Sequence, residues 1–411
     1  MSRVRILPSA LSGTLDVPLS KSAAHRAVIC SALAGGGDVL PPGGPLSDDL
    51  LATRDSVARL LAAGGGPVTL DCRESGSTLR FLIPLACALG VKATFTGHGR
   101  LPERPLGVYL ACLPRHGVRC ETRGGLPLTV SGTLRPGVFS LPGDVSSQFV
   151  TGLLLALPLL DGDSEIVLTS PLQSAAYADM TVRTMGAFGV PAGRTATGWT
   201  VAGNRSYRPR PGFPVERDWS QAAFFLAAGM LGGPVRLRGL NPASCQGDRA
   251  AETLFRRFGA KTAWKDGILT AEAGRLPDSD RAIDASQIPD LVPALAAAAA
   301  LLPGRRTVIA HAERLRLKES DRLSAMADGL NRLGARVRER PDGLEIAGVE
   351  RLRGGEAEGR GDHRVVMALA VAALKADGET VLTDAQSVRK SYPGFFRDYN
   401  RLGGKAYDMG E

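Results

Sequence analysis

One pattern of polar and apolar positions recurs six times along the chain: a short polar cluster opens a run of small and apolar residues long enough for a helix. The instances are SKSAAHRAVICSALAGG from Ser20, SGSTLRFLIPLACALG from Ser75, SSQFVTGLLLALPLL from Ser146, DWSQAAFFLAAGMLGG from Asp218, PDLVPALAAAAALLPG from Pro289 and DHRVVMALAVAALKADG from Asp362. Their starts lie 55, 71, 72, 71 and 73 residues apart. A second helical pattern follows and closes on Gly, as in LFRRFGA to Ala260, LNRLGAR to Arg336 and YNRLGG to Gly404, where Gly suits a left-handed C-cap. Short runs such as VLTDAQSV at 381–388 and LEIAG read as strands between the helices. The prediction is a mixed α/β unit of about 70 residues, present six times. Six units fit two domains of three, with GNRSYRPRPGFPVER (203–217) marking a crossover.

Each polar cluster stands at a predicted helix N-terminus, where unpaired backbone N–H groups and the positive dipole end favour anions. Several such ends aimed at one place would form an anion trap. Capping alone asks for the same Ser, Thr and Asp residues, so a single cluster reads either way.

Composition narrows the picture. A chain of 411 residues exceeds the size at which one hydrophobic core stops growing. The net charge of +9 fits nucleic acid, a membrane surface or a small anion. Aromatic residues are only 5% of the chain and basic residues form no polybasic run, so small anionic ligands fit better than single strands. The six cysteines, Cys30, Cys72, Cys87, Cys112, Cys120 and Cys245, form no CxxC pair and are expected to be free thiols, mostly buried. MSRVRILPSALSG lacks the apolar core of a signal peptide, and the apolar runs near 150–160 and 291–302 are too short for a bilayer, so a cytoplasmic location is expected.

The motifs add candidate chemistry. PLSKSAAHRAV flanks serines with Lys21 and Arg26, a set suited to phosphate and carboxylate. In ESGSTLRFL, Gly76 lets a ligand approach the backbone, Ser77 and Thr78 offer hydroxyls and Arg80 a bidentate fork. LPERPLG sets Arg104 before a Pro and a helical pattern, and SSQ (146–148) offers three hydrogen-bonding side chains. LRLKESDRL (315–323) is the densest cluster. As one helix it carries Lys318 and Arg322 on one face, with Glu319 rotated off it and Ser320 and Asp321 near a cap. GDHRVVMALAV puts His363 and Arg364 at the mouth of an apolar helix, and VRKSYPGFF puts Arg389 and Lys390 before an aromatic turn.

Taken in order, SKSxxxR, SGSTLRF, LPE followed by RP, SSQ, IPD, KESDR, DHR and KSYP closely resemble the 5-enolpyruvylshikimate-3-phosphate synthase family from Pro18 to Gly403. The resemblance implies an α/β enolpyruvyl transferase fold: two domains, each an inside-out α/β barrel of three βαβαββ units. It places domain 1 at 1–18 plus 217–411 and domain 2 at 19–216, with the active site in the cleft between them. The implied activity is that of a 3-phosphoshikimate 1-carboxyvinyltransferase of the shikimate pathway to chorismate and aromatic amino acids, moving the enolpyruvyl group of phosphoenolpyruvate to the 5-hydroxyl of shikimate 3-phosphate. No cofactor and no metal are implied. Nor is a nucleic-acid or membrane partner, and the protein is expected to be a monomer.

By position in the matching motifs, Lys21, Gly76, Arg104, Gln148, Arg322, Arg364 and Lys390 would hold phosphoenolpyruvate. Lys21, Ser22, Arg26, Ser146, Ser147, Gln148, Ser174, Tyr177, Asp290 and Lys318 would hold shikimate 3-phosphate. Asp290 would be the base at the 5-hydroxyl, Glu319 would move the proton at the methylene carbon, and Lys21 would assist both substrates. Three positions depart from the family pattern: Glu74 stands where Asn is common, Ala175 where Ser-Lys-Pro-Tyr carries Lys, and Arg314 where Asn is common. The alternative is the sister enzyme acting on UDP-N-acetylglucosamine, but GHGRLPERPLG lacks the Cys that normally precedes its Arg-Pro pair. An RNA-binding protein would explain the charge but not the ordered motifs, and a silent scaffold would not keep Lys21, Asp290, Glu319 and Lys390.

Overall fold

The computed structural model describes residues 2–41, 45–276 and 278–410. Two compact units are present, one formed by Met1–Ser20 with Glu216–Glu411 and the other by Lys21–Val215. The six apolar runs are the helices Lys21–Leu33, Gly76–Ala88, Ser147–Ala156, Trp219–Leu231, Val292–Ala299 and His363–Ala372. Trp219–Leu231, Val292–Ala299 and His363–Ala372 are buried at every residue, as helices apolar all round must be. The strands bury alternate residues, as Val235–Arg238 and Val138–Leu141 do, so helices fill each interior and sheets face water.

The discontinuous unit holds three four-stranded sheets and the continuous one holds two. Every sheet has the same plan: a parallel pair extended by two antiparallel strands. In the discontinuous unit, Arg281–Asp284 pairs parallel with Arg306–Ala310 and the chain crosses over through the Val292–Ala299 helix. Gly355–Ala357 and Thr380–Leu382 enclose His363–Ala372 in the same way. In the continuous unit, Val68–Asp71 and Ala93–Thr96 enclose Gly76–Ala88, and Val138–Leu141 and Ser164–Leu168 enclose Ser147–Ala156. Parallel pairing needs a long crossover, which is why each of these four apolar helices lies between two strands.

The first twenty residues complete sheets whose other strands come after residue 216. Val4–Leu7 pairs antiparallel with both Thr380–Leu382 and Lys405–Asp408, and Gly13–Asp16 pairs parallel with Val235–Arg238, Leu15 opposite Leu237. The unit beginning at Lys21 differs from the other five. It has the helices Lys21–Leu33 and Asp48–Ala62 but, among the described residues, no sheet of its own. That unit is also the shortest, with a spacing of 55 residues to the next cluster against 71–73 elsewhere.

Helix ends follow the glycine reading. Gly259, Gly334 and Gly403 have φ near +100°, and each follows a helix by one or two residues. Two sequence expectations are corrected. VLTDAQSV is a strand only over Thr380–Leu382, and Ala385–Lys390 is a 3₁₀ helix entered through Asp384 at φ 56°. LRLKESDRL is not one helix: a 3₁₀ turn ends at Leu317, Lys318 is extended, and the helix begins at Arg322 with Asp321 as cap. Asp321 accepts the Ser324 N–H at 3.1 Å, and this local bond stops the helix from running back through Lys318.

Candidate active site

In the discontinuous unit, four polar clusters lead to one guanidinium. Arg322 opens its helix and is 1% exposed. Its Nε donates to Asp362 Oδ2 at 2.8 Å, Nη1 to Asp290 Oδ1 at 3.0 Å and Nη2 to Glu319 Oε2 at 2.8 Å. Asp362 caps the His363–Ala372 helix by accepting the Arg364 N–H at 2.9 Å, and it also accepts from Ser320 Oγ at 3.1 Å. Arg364 Nη1 donates to the Asp290 carbonyl at 3.0 Å and Nη2 to Ser220 Oγ at 3.0 Å, with Asp290 Oδ2 3.3 Å away. Ser220 is held by Asp218, the cap of the Trp219–Leu231 helix, at 2.7 Å. Lys390 donates to the Gly361 carbonyl at 2.6 Å, and Gly361 N–H in turn donates to Asp384 at 3.1 Å.

Cations in the first turn of a helix oppose its dipole, and buried charges need partners. Arg322 and Arg364 accept both costs because Asp290, Glu319 and Asp362 surround them. The effect on Asp290 is large. Burial pushes its carboxyl up, but Arg364, Lys318 and Arg322 outweigh burial and the nearby Glu319, and hold it well below the usual carboxylate range. Burial lowers the affinity of Arg322 for its proton, but Asp362, Glu319 and Asp290 reverse this and raise it above the usual arginine value. His363 is buried beside this cluster, whereas Arg389 is exposed.

The continuous unit holds a second cluster. Lys21 is the first residue of its helix and its Nζ lies 2.6 Å from Asp49 Oδ2. Arg26, one turn on and 2% exposed, donates to the Ser22 carbonyl (2.6 Å), Thr181 Oγ1 (2.8 Å), the Tyr177 carbonyl (2.9 Å) and Thr151 Oγ1 (3.1 Å). It also lies over the Phe81 ring at 5.2 Å. Gly76 opens the next helix behind its cap Ser75, with the Arg104 guanidinium seated directly on it. A Cβ at Gly76 would lie 2.6 Å from Arg104 Nη1 and 2.8 Å from Arg80 Nη1. Arg80 donates to Gln148 Oε1 at 2.9 Å and to the Pro105 carbonyl at 2.9 Å, and Gln148 donates to Ser77 Oγ at 3.0 Å.

Ser146 caps the third helix, its Oγ accepting the Gln148 N–H at 3.3 Å, and Ser147 is buried at the first position. Ser174 is buried with φ 57°, a backbone conformation that a non-glycine residue rarely adopts, and Tyr177 lies in the first turn of Ala176–Ala187. Lys21, Ser22 and Arg26 thus share one helix start with Tyr177 beside Arg26, while Gly76, Arg104 and Gln148 form a group joined by Arg80. Glu74 folds over Gly99, where a Cβ would collide with its carboxylate, and Arg314 donates to the Ser286 carbonyl at 2.8 Å.

The motif reading gave no partner role to several residues that hold these groups: Asp49, Arg80 in its tie to Gln148, Ser220, Asp218 and Asp362. Each acidic one lies in the first turn or at the cap of a helix, a position legible as a cap but not as a partner for a distant guanidinium. Among the described residues no group of three or more His, Cys, Asp or Glu is placed to hold a metal ion, and no helix is long and apolar enough to cross a membrane. All six cysteines are free, four of them buried.

Comparison with known proteins agrees with this architecture. The sequence model of the family described as EPSP synthase (3-phosphoshikimate 1-carboxyvinyltransferase) matches residues 7–399. A 3-phosphoshikimate 1-carboxyvinyltransferase of Clostridium kluyveri is 41% identical over 423 aligned positions, covering 98% of each chain. One from Clostridioides difficile is 38% identical, covering 100% of each. A solved EPSP synthase of Acinetobacter baumannii superposes with a TM-score of 0.78 at 25% identity, covering 100% of both chains. With fold, motif order and full-length similarity in agreement, the chain belongs to the EPSP synthase (3-phosphoshikimate 1-carboxyvinyltransferase) family.

Proposed function

We propose that the two charged clusters serve one reaction. The chain is a 3-phosphoshikimate 1-carboxyvinyltransferase: it transfers the enolpyruvyl group of phosphoenolpyruvate to the 5-hydroxyl of shikimate 3-phosphate, giving 5-enolpyruvylshikimate 3-phosphate and phosphate. The observation that carries the assignment of roles is the sharing of Arg322 between Asp290 and Glu319, which sets two carboxylates on one anion-binding group. In this reading Arg322, Arg364 and Lys390, with Lys21, Arg104, Gln148 and the open helix end at Gly76, hold the carboxylate and phosphate of phosphoenolpyruvate. Lys21, Ser22, Arg26, Ser146, Ser147, Gln148, Ser174, Tyr177, Asp290 and Lys318 hold shikimate 3-phosphate, Arg26 chiefly by fixing the Ser22 and Tyr177 backbone.

Asp290 takes the proton of the 5-hydroxyl as its oxygen attacks C2 of phosphoenolpyruvate, and Glu319, having first taken up a proton from solvent, delivers it to C3. Phosphate then leaves C2 while Glu319 takes a proton back from C3, restoring the double bond. Held by Arg364, Lys318 and Arg322, Asp290 is ionised but a weak base. An anion that claims the N–H groups of Arg322 and Arg364 removes that restraint and raises its basicity where the hydroxyl must be deprotonated.

The six free thiols fit a reducing cytoplasm. Large exposed apolar side chains among the described residues are few and spread over both units, which supports a monomer. The test is phosphate release from phosphoenolpyruvate with shikimate 3-phosphate or with UDP-N-acetylglucosamine, beside an Asp290→Ala variant. Release with shikimate 3-phosphate alone, slowed at least a hundredfold in the variant, is expected. Release with the sugar nucleotide would move the chain to the sister activity, and an undiminished variant would remove Asp290 as the base.

A further inference from the structure

Behind the Lys21–Asp49 pair runs a chain of buried polar side chains that the reaction does not use. His25, one turn beyond Lys21 and 0% exposed, sets Nδ1 2.7 Å from Oγ1 of Thr53, which lies one turn beyond Asp49. Thr53 Oγ1 is 2.6 Å from Thr78 Oγ1, and the Thr78 hydroxyl donates to Ser75 Oγ at 2.7 Å. Ser75 is the cap of the Gly76–Ala88 helix and also accepts the Thr78 N–H at 3.1 Å. Thr53, Thr78 and Ser75 are all 0% exposed.

The proton arrangement follows from the hydroxyl chemistry. With the Thr78 proton on Ser75, the Thr53 proton goes to Thr78 and the imidazole donates from Nδ1–H. That leaves Nε2 without hydrogen, and Nε2 is the atom with no hydrogen-bond partner, its ring standing edge-on to Phe81 at 6.3 Å. Burial, with Lys21 and Arg26 nearby, holds the imidazole well below the usual histidine value and therefore neutral.

Packing alone does not call for this chain. Three hydroxyls and an imidazole in a core cost desolvation that apolar side chains of similar size would avoid. What they supply is register. Lys21 with Asp49 and, one turn on, His25 with Thr53 form two rungs between the Lys21–Leu33 and Asp48–Ala62 helices, so neither helix slides without breaking both. The Thr53–Thr78–Ser75 links extend that lock to the helix on whose first residue Arg104 sits.

We propose that His25 and Thr53 are positioning residues: the buried chain fixes the Lys21 ammonium relative to the Gly76 helix end and Arg104, and so sets the phosphoenolpyruvate-holding geometry of this unit. The inference rests on the assignment of Lys21, Gly76 and Arg104 to that substrate. The experiment is steady-state kinetics on Thr53→Val, which keeps shape and removes the hydroxyl, with Thr53→Ser as the conservative variant and His25→Phe as an independent break. Thermal melts accompany each variant.

The expected result is a KM for phosphoenolpyruvate raised on the order of tenfold in Thr53→Val and His25→Phe. The KM for shikimate 3-phosphate should rise as well, because Lys21 is assigned to both substrates, and Thr53→Ser should stay close to the unaltered protein. A lowered melting temperature with unchanged KM in Thr53→Val or His25→Phe would make the chain merely structural and overturn the proposal. Failure of the underlying reading looks different: Gly76→Ala and Lys21→Met would then leave the KM for phosphoenolpyruvate untouched, whatever Thr53 does, and the positioning role would fall with it.

Discussion

Replacing Arg26 by Met keeps the apolar stem on Phe81 and removes the guanidinium that ties the Lys21–Leu33 helix to Thr151 on one neighbour and to Thr181 and the Tyr177 carbonyl on another. Four hydrogen bonds from a charged donor are worth roughly 1.5–3 kcal/mol each, or about 6–12 kcal/mol gross. Against this stands the cost of holding a cation in a site 2% exposed, which is several kcal/mol and is recovered in the variant. The net loss is about 3 kcal/mol, a fall of about 6–12 °C in the melting of a unit this size. Urea denaturation followed by circular dichroism measures the loss. Hydrogen exchange should place it in the helices Lys21–Leu33, Ser147–Ala156 and Ala176–Ala187. A loss below about 1 kcal/mol, or one located elsewhere, would refute the claim that Arg26 is the tie among these helices.

Gly76→Ala puts a methyl group 2.6 Å from Arg104 Nη1, so the guanidinium must move; the KM for phosphoenolpyruvate should rise about tenfold with little change in melting temperature, and an unchanged KM would show that Arg104 does not bind there. Because the Asp290 carboxyl is held below its unfolded value, its contribution to stability is fully present above that value, about 3.9, and is lost as pH falls toward the folded value. The stability gap between the unaltered chain and Asp290→Asn should therefore be constant from pH 8 to about 5 and shrink progressively below that, and shrinkage already between pH 7 and 5 would contradict the cause assigned to the shift.

Helices were legible where apolar runs had no competing signal. Trp219–Leu231 and His363–Ala372 are buried all round, and nothing but an interior helix accommodates such runs beside alternating strands. The short spacing after Ser20 was visible, but its meaning was not: among the described residues that unit has two helices and no sheet of its own, and a spacing does not say which elements it shortens. The Lys318–Arg322 face failed for a local reason: Asp321 satisfies the first N–H groups of the following helix and favours a cap over continuation. Individual charged residues could be nominated from motifs, but their partners could not. Asp362 stands forty residues from Arg322, and Asp49 twenty-eight from Lys21. The first pairing is set by which helix ends the sheets bring together and the second by the packing of two helices in a repeat with, among the described residues, no sheet of its own, and motif spacing records neither.

The arrangement around Arg322 also couples binding to catalysis. A buried guanidinium in the first turn of a helix cannot stand alone, and the groups that neutralise it include the two carboxylates assigned to acid and base work. An arriving anion must therefore compete with Asp290, so part of the attraction between substrate and arginine is spent in freeing the base. Removing the competitor should separate the two effects. In Asp290→Ala, Glu319 and Asp362 still hold Arg322 and Ser220 still holds Arg364, so the binding groups stay in place while one like charge 3.0 and 3.3 Å from their nitrogens disappears. At the effective dielectric of a partly buried site, that predicts phosphoenolpyruvate binding about tenfold tighter in the presence of shikimate 3-phosphate, together with collapsed turnover. Isothermal titration of the variant with both ligands measures it directly. With shikimate 3-phosphate at saturation, so that its own contact with Asp290 does not limit the result, weaker or unchanged binding would mean that Asp290 and the arriving anion do not compete for Arg322 and Arg364.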